Sequence, residues 1–426
     1  MNLKLRLTIL SFLQFAVWGA YLTSMGNYLG SVGLGSKIGL FYAMQGIVSI
    51  FMPALMGIIA DRWIQAQRLL GICHLLAAGF LVAAGYYGMA AGADVEFPKL
   101  FLLYSLSVMF YMPTIALSNS VAYTVLVNNN FDTIKAFPPI RTFGTIGFIC
   151  AMLFVDFTGY QNNYSQFFVS GILGVVLFLY SFTLPKCPTN KSEEKQSLYD
   201  ALGLKAFSLF KDKKMAVFFI FSMLLGVSLQ ITNGYANPFI TSFKDIPSFS
   251  DSWGANHANA LISLSQVSET ACILLIPFFL KRFGIKKVML MAMFAWVLRF
   301  GLFGLGNPGG GVWMFILSMI VYGIAFDFFN VSGSLFVDKE TDKSIRSSAQ
   351  GVFMMMTNGF GATIGMLGAQ EVVNHYVFSQ TDPTLQLQGW QTSWYIFAGY
   401  ALVVTILFAI IFKHKHNPEE LSAIKH

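Results

Sequence analysis

KCPTNKSEEKQSLYDALGLKAFSLFKDKK (residues 186–214) is the only long polar stretch in this chain of 426 residues. On both sides of it the sequence runs continuously apolar, as in LLIPFFL (274–280) and ALVVTILFAIIF (401–412). Hydrophobic residues make up 55% of the chain and charged residues 11%, 47 in all from 27 Lys+Arg and 20 Asp+Glu. A soluble chain is about one quarter charged, which here would mean roughly 106 such residues. This one could not cover its own surface in water. The same numbers exclude disorder and the fibrous and disulfide-scaffold classes. A β-barrel is excluded because its strands alternate every second residue. A transmembrane helix needs roughly 20 apolar residues, so the apolar stock supplies about a dozen.

Twelve apolar segments can be counted, near 7–30, 38–60, 69–91, 99–127, 138–160 and 165–185, then 215–240, 258–280, 287–305, 312–337, 347–373 and 392–412. The polar stretch divides them six and six. The reading is an all-α polytopic membrane protein of twelve helices: an N-terminal six-helix bundle over 1–185, a cytoplasmic linker over 186–214, a C-terminal six-helix bundle over 215–412 and a tail over 413–426. In the linker, Leu198, Leu202, Ala206 and Leu209 fall on one helical face. That suits a short helix on the membrane surface, or a plain solvated linker. Lys4 and Arg6 ahead of an apolar run resemble a signal peptide, but the run is too long and has no small-x-small cleavage pattern, so it reads as the first retained helix.

Orientation follows from the loop lysines and arginines. With the amino terminus in the cytoplasm, 22 of them lie inside and only Lys37, Lys99 and Lys244 outside; Arg141 and Arg299 remain within spans. Both termini are therefore expected in the cytoplasm. The net charge of +7 fits basic loops facing anionic lipid and calls for no nucleic acid. Cys73, Cys150, Cys187 and Cys272 show no metal or disulfide spacing and read as small buried hydrophobes.

The halves repeat one another. At an offset of 211, Leu106, Ser107, Tyr111 and Asn119 of the fourth segment meet Leu317, Ser318, Tyr322 and Asn330 of the tenth. DRWIQAQR (61–68) and KRFGIKKV (281–288) both follow the second segment of their half. GIIADRW (57–63) resembles the Gly-x-x-x-Asp-Arg loop signature of the major facilitator superfamily, whose members place substrate near the midplane between two such bundles.

Charge within a bilayer costs at least about 2.5 kcal/mol per residue on insertion scales, so charges kept inside spans are candidates for function. In VYGIAFDFFN (321–330), Asp327 lies close to the midplane, and Tyr322, Phe326 and Asn330 form one stripe. Burial at that depth disfavours the charged carboxylate, so Asp327 could carry a proton. In SLSQVSETACILL (263–275), Gln266 and Glu269 share a face; a helix–helix hydrogen bond is the plainer reading. In SLQITNGYANPF (228–239), Gln230 and Asn233 share a face, and Gly234 and Pro238 weaken the ladder as in a discontinuous helix. Amides that both donate and accept suit hydroxyl-rich or heterocyclic ligands. In FPPIRTFGTIGF (137–148), Arg141, Thr145 and Phe148 share a face, and Pro138 and Pro139 suit a helix start. Arg141 would then lie about one turn into the helix, where it could also snorkel. Arg299 is open to snorkelling or pairing, Trp18 and Tyr21 to cavity lining or packing. His74 reads as a satisfied buried histidine, and Asp156 and Glu371, near outer span ends, as solvated acids.

These segments together resemble the nucleoside–proton symporter family of the major facilitator superfamily, the bacterial nucleoside permeases. The matching strings are MNLKLRLTILSFLQFAVWG, FMPALMGIIADRW, FPPIRTFGTIGF, FFIFSMLLGVSLQITN, SQVSE, VYGIAFDFFN and AQGVFMMMTNGFG. The resemblance covers nearly the whole chain. It implies uptake of purine and pyrimidine nucleosides across the bacterial inner membrane, driven by protons and by alternating access. It further implies a substrate site of Arg141, Thr145, Phe148, Gln230, Asn233, Gln266, Glu269, Tyr322 and Phe326, with Asp327 and Glu269 coupling the proton. Ser228 departs from the family pattern, which carries an acid there. The partners implied are nucleosides, protons and membrane lipid, with no cofactor, no metal, no nucleic acid and a monomeric chain. A proton-coupled sugar symporter of the same fold is the alternative. A drug antiporter would favour a more apolar cavity. With no HExxH, GxSxG or paired catalytic carboxylates the chain does not read as an enzyme.

Overall fold

In lipid every backbone N–H must find its acceptor within its own segment, which leaves an uninterrupted apolar run no structure but helix. A computed structural model describes residues 2–189, 204–342 and 345–415, and among them it contains helices and no strand. The first six spans are α1 (Leu3–Gly19, continued by Met25–Ser31), α2 (Ile38–Arg62), α3 (Ala66–Ala91), α4 (Phe97–Asn128), α5 (Thr133–Phe157) and α6 (Ser165–Ser181). The second six are α7 (Lys213–Leu229 and Ile231–Ser242), α8 (Ala258–Ile273), α9 (Ile276–Leu305), α10 (Val312–Glu340), α11 (Arg346–Met354 to Ala362–Val373) and α12 (Pro383–Ile411). Nine described stretches are long and apolar enough to cross a membrane. The shorter α1, α6 and α8 bring the total to twelve. At Gly284, φ 77° and ψ 168° take the backbone out of the helix, so residues 276–283 extend α8 and those after Gly284 form the ninth span. Of the face drawn through Leu198, Leu202, Ala206 and Leu209, the first two lie outside the described residues, and Ala206 and Leu209 fall in a 3-10 helix, Leu204–Lys211.

The internal contacts divide the chain into two units, Met1–Leu202 and Gly203–His426. Each unit has the same internal order. In the first, α1 packs on α5, α2 on α4, and α3 on both α4 and α6; in the second, α7 packs on α11, α8 on α10, and α9 on both α10 and α12. The repeat extends to single atoms. Ser107 Oγ on α4 donates to the Ala77 carbonyl on α3 (2.8 Å), and Ser318 Oγ on α10 donates to the Arg299 carbonyl on α9 (3.0 Å). The Tyr111 ring meets His74 edge-on at 5.8 Å, and the Tyr322 ring meets Trp296 edge-on at 6.0 Å.

Close backbone approach holds the matching pairs. A Cβ on Gly147 of α5 would stand 2.1 Å from the Phe12 carbonyl oxygen of α1, and one on Gly365 of α11 would stand 2.1 Å from the Val227 carbonyl oxygen of α7. Small residues at such crossings let dispersion act between helices that lipid does not push together. At one end of the second unit, Lys214 pairs with Glu340, Gln350 donates to Asp338 (3.1 Å) and Arg346 lies 3.8 Å from Asp338, tying the start of α7 and α11 to the end of α10.

Three expectations are corrected. Helix α5 starts at Thr133, so Pro138 and Pro139 lie in its second turn rather than at its start, and Arg141 is about two turns in. Asp156 is 2% exposed and not solvated. Cys150 is exposed, while Cys73, Cys187 and Cys272 are buried.

Gly147→Leu is expected to destabilise the α1–α5 contact by about 1–3 kcal/mol, the ordinary cost of overpacking. Thermal melting of the detergent-purified protein should show a clear drop, whereas Gly399→Leu, where a Cβ meets nothing within 4 Å, should melt with the parent.

Candidate functional site

In the second unit the polar residues lie on three neighbouring helices. Helix α7 is discontinuous at Gln230, whose φ −95° and ψ −13° end Lys213–Leu229 and begin Ile231–Ser242. The break comes one turn before Gly234 and two before Pro238, the residues expected to cause it. Asn233 Nδ2 donates to Gln230 Oε1 (2.9 Å), so the two amides form a pair across the break. That bond leaves the Gln230 amide nitrogen and the Asn233 carbonyl oxygen for other partners.

Helix α8 uses two faces. Ser265 and Ser268 turn toward α10: Ser268 Oγ donates to the Ile320 carbonyl and Ser265 Oγ contacts Met319 Sδ at 3.0 Å. Gln266 and Glu269 are half-buried beside that seam. On α10, the Tyr322 and Phe326 rings stack with centroids 5.6 Å apart and 19° between planes. Phe326 and Asn330 are half-buried, and Asp327 is 6% exposed. Glu269, Arg299 and Asp327 all act electrostatically on the Tyr322 hydroxyl, which gathers three charged groups from α8, α9 and α10 around one phenol.

The first unit carries its candidates on one helix. The Arg141 guanidinium lies over the Phe15 ring of α1 at 3.9 Å, a cation–π contact. Phe148 is buried and meets Trp18 edge-on at 6.3 Å. Thr145, one turn from each, is half-buried. Behind them runs a buried polar chain. His74 Nε2 lies 2.8 Å from Gln14 Oε1, Gln14 Nε2 donates to Thr114 Oγ1 (2.8 Å), and Tyr111 Oη donates to the Gln14 carbonyl (2.9 Å). His74 is buried as its setting suggested, but only half satisfied: Nε2 has Gln14, while Nδ1 has no hydrogen-bond partner among the described residues.

The first unit also holds an apolar groove of about 690 Å³ whose walls include Phe12, Ala16, Gly147, Cys150 and Phe154. None of the polar candidates lines it. Gly147, Cys150 and Phe154 follow one another at helical spacing on a face of α5 that excludes Arg141, Thr145 and Phe148. One residue escaped sequence reasoning: Arg299, left open there, is 2% exposed and sits against Tyr322. Tyr322 and Phe326 being stacked, and Gln230 being the point of discontinuity, were not legible either, because spacing gives a face and not a rotamer.

Comparisons with known proteins converge. A family model for the nucleoside H+ symporters matches residues 1–417. The chain is 48% identical over 421 residues to the nucleoside permease NupG of Escherichia coli strain K12, covering 98% of this chain and 97% of that one. It is 46% identical over 425 residues to the xanthosine permease of the same organism, covering 99% and 98%. A crystal structure of the nucleoside transporter NupG superposes with a TM-score of 0.87 at 47% identity, covering 97% of this chain and all of the other. A D-xylose–proton symporter superposes at 0.69 with 14% identity, a likeness of fold alone.

The Gln14 side-chain amide joins His74 and Thr114, so removing it strands buried polar groups at about 1–3 kcal/mol, while the Tyr111 bond to the Gln14 main-chain carbonyl stays. Gln14→Leu is expected to lower the melting temperature while leaving substrate selectivity among whatever the remaining folded protein transports unchanged; a ranked uptake panel beside a thermal melt checks both.

Proposed function

The chain belongs to the nucleoside–proton symporter family, and on that premise we propose which of its residues carry the transport. It is a multi-pass membrane transporter and not an enzyme, and it takes up nucleosides together with protons. The sugar alternative has less support, since the sugar symporter shares only the fold.

The observation that carries the site is the arrangement on α10: a stacked aromatic pair, Tyr322 and Phe326, with the buried Asp327 next to it and Glu269 within electrostatic reach. Nucleosides have a flat base and a hydroxylated sugar. An aromatic ring stacks on a base whatever its sequence identity. We assign Phe326 and Tyr322 to the base. Gln230, Asn233, Gln266 and Glu269 are assigned to the hydrophilic edges and the ribose hydroxyls. A site built to hydrogen-bond hydroxyls rejects analogues that lack them, because its buried polar groups are then left unpaired. In the first unit Arg141, Thr145 and Phe148 form the second contact set; Phe15 and Trp18 hold the outer two and leave the Thr145 hydroxyl between them.

Asp327 and Glu269 are proposed to couple the proton. Asp327 has Ala116 as its counterpart in the repeat, so the bundle does not need an acid there. Glu269 is half-buried beside Gln266 and is placed to touch ligand and proton alike. Both termini are proposed to be cytoplasmic, on the strength of the 22 to 3 asymmetry of loop lysines and arginines.

Collapse of the proton gradient with a protonophore should abolish accumulation; sodium-dependent concentrative uptake would contradict the coupling ion. Replacing Gln230, Asn233, Gln266 or Phe326 singly by Ala should weaken nucleoside binding about tenfold or more, since a lost buried contact costs roughly 1–3 kcal/mol. Wild-type affinity in all four would mean that other faces bind. Asp327→Asn should bind nucleoside yet fail to concentrate it, because the amide mimics the protonated acid, while Glu269→Gln should weaken both. Calorimetry beside vesicle uptake reads the contrast, and accumulation by Asp327→Asn against a gradient would remove Asp327 as the coupling acid.

A further inference from the structure

Arg299 is one of the largest side chains to be fully buried in this protein. A cation at that depth is costly to keep, and its surroundings explain only part of it. Nη1 donates to the Ser318 carbonyl (2.9 Å) and to Ser265 Oγ (3.3 Å), and lies 3.9 Å from Met319 Sδ. Nε has no hydrogen-bond partner. The guanidinium carbon sits 4.4 Å from the centre of the Tyr322 ring and 5.3 Å from that of Phe303.

The repeat supplies an internal control. Ser107 and Ser318 occupy matching places and make the same hydrogen bond to a neighbouring helix, to the Ala77 carbonyl in the first unit and to the Arg299 carbonyl in the second. Position 77 carries only a methyl group, and α3 still packs on α4 as α9 packs on α10. The architecture therefore does not call for the arginine side chain. The matching tyrosines each have an edge-on ring, His74 for Tyr111 and Trp296 for Tyr322. Tyr322 has a guanidinium over its ring as well, and it is Tyr322 that stacks on Phe326.

We propose that Arg299 is a positioning residue for nucleoside binding: its guanidinium, clamped between the Ser318 carbonyl and the Tyr322 ring, fixes Tyr322 and through it Phe326 as a rigid aromatic platform for the base. The inference rests on the reading above that Tyr322 and Phe326 touch nucleoside. The mechanism is preorganisation. A planar guanidinium stacks on an aromatic face, and it does so most strongly when both are desolvated. A ring already held in place loses less freedom when ligand binds. The charged groups acting on the Tyr322 hydroxyl are Arg299 itself, Glu269 of α8 and Asp327 of α10, so a direct action of Arg299 on the acids is the competing account.

The test is calorimetric titration of the full-length purified protein with uridine and with adenosine, at one pH, for Arg299→Met, Arg299→Lys, Tyr322→Ala and the double variant Arg299→Met with Tyr322→Ala, each checked for folding by thermal melt. Arg299→Met should raise Kd about tenfold, the scale of a desolvated cation–π contact. Arg299→Lys should recover most of that loss, because an ammonium still faces the ring. On the Tyr322→Ala background, Arg299→Met should add less than about twofold, since residues acting through one another are not additive. If Arg299→Met fails to fold, Arg299→Lys carries the test: its smaller loss should vanish when Tyr322 is absent. Equal loss with and without Tyr322 overturns the proposal in favour of a purely structural arginine. An unchanged Kd together with a shifted pH profile of uptake overturns it in favour of action on Glu269 and Asp327. Parent-like affinity in Tyr322→Ala removes the site reading itself, an outcome read from that variant alone, and the proposal falls with it.

Discussion

Hydrocarbon offers a polar group no partner, so each polar side chain within a span must find one on another helix or on its own backbone. That constraint organises both units. Ser107 and Ser318 reach across to carbonyls of the adjoining helix, Ser170 Oγ reaches the Val17 carbonyl, and Gln14 bridges His74 and Thr114. The helices meet where glycine lets backbones touch, at Gly147 of α5 against α1 and at Gly365 of α11 against α7.

Function then lies in what the repeat does not share. Asp327 stands over Ala116 and Arg299 over Ala77, and the second pair shares the serine bond from the neighbouring helix. The second unit has accepted a buried acid and a buried base, each a cost to stability that its counterpart avoids, while the break at Gln230 has its parallel in the interruption of α1 after Gly19. The first unit keeps a buried histidine, His74, at the place where the second puts Trp296. A bundle that folds in the plain version of a motif has no folding reason to carry the charged one. Such differences are the ground on which binding and coupling are proposed for these residues.

The candidate residues were legible because charge inside a twenty-residue apolar run is conspicuous. Asp327, Glu269 and Arg141 needed no more than that. Their partners were harder. For Arg141, spacing did not show that the helix starts at Thr133 rather than Pro138, or that the guanidinium rests on Phe15. Two consecutive prolines look like a helix start, yet they lie in the second turn of α5, where the missing N–H groups of Pro138 and Pro139 cost the carbonyls four residues earlier their donors. Asp156 looked solvated from its place near a span end and is buried, since depth along a helix says nothing about which side of it faces protein.

The sequence by itself determined the class, the number of spans, their division into two sets of six and the family, because these depend on hydropathy summed over long windows and on strings of residues read in order. It also determined which residues share a helical face, since 3.6 residues per turn is a property of the backbone alone. Tertiary structure decided which faces meet. The place of the α7 break, the stacking of Tyr322 on Phe326, the pairing of Gln230 with Asn233 and the full burial of Arg299 all depend on neighbours hundreds of atoms away along the chain or on rotamers that packing selects. Helical spacing brings Gln230 near Asn233 and Tyr322 near Phe326, but the rotamers that pair them, like the burial of Arg299, are selected by packing.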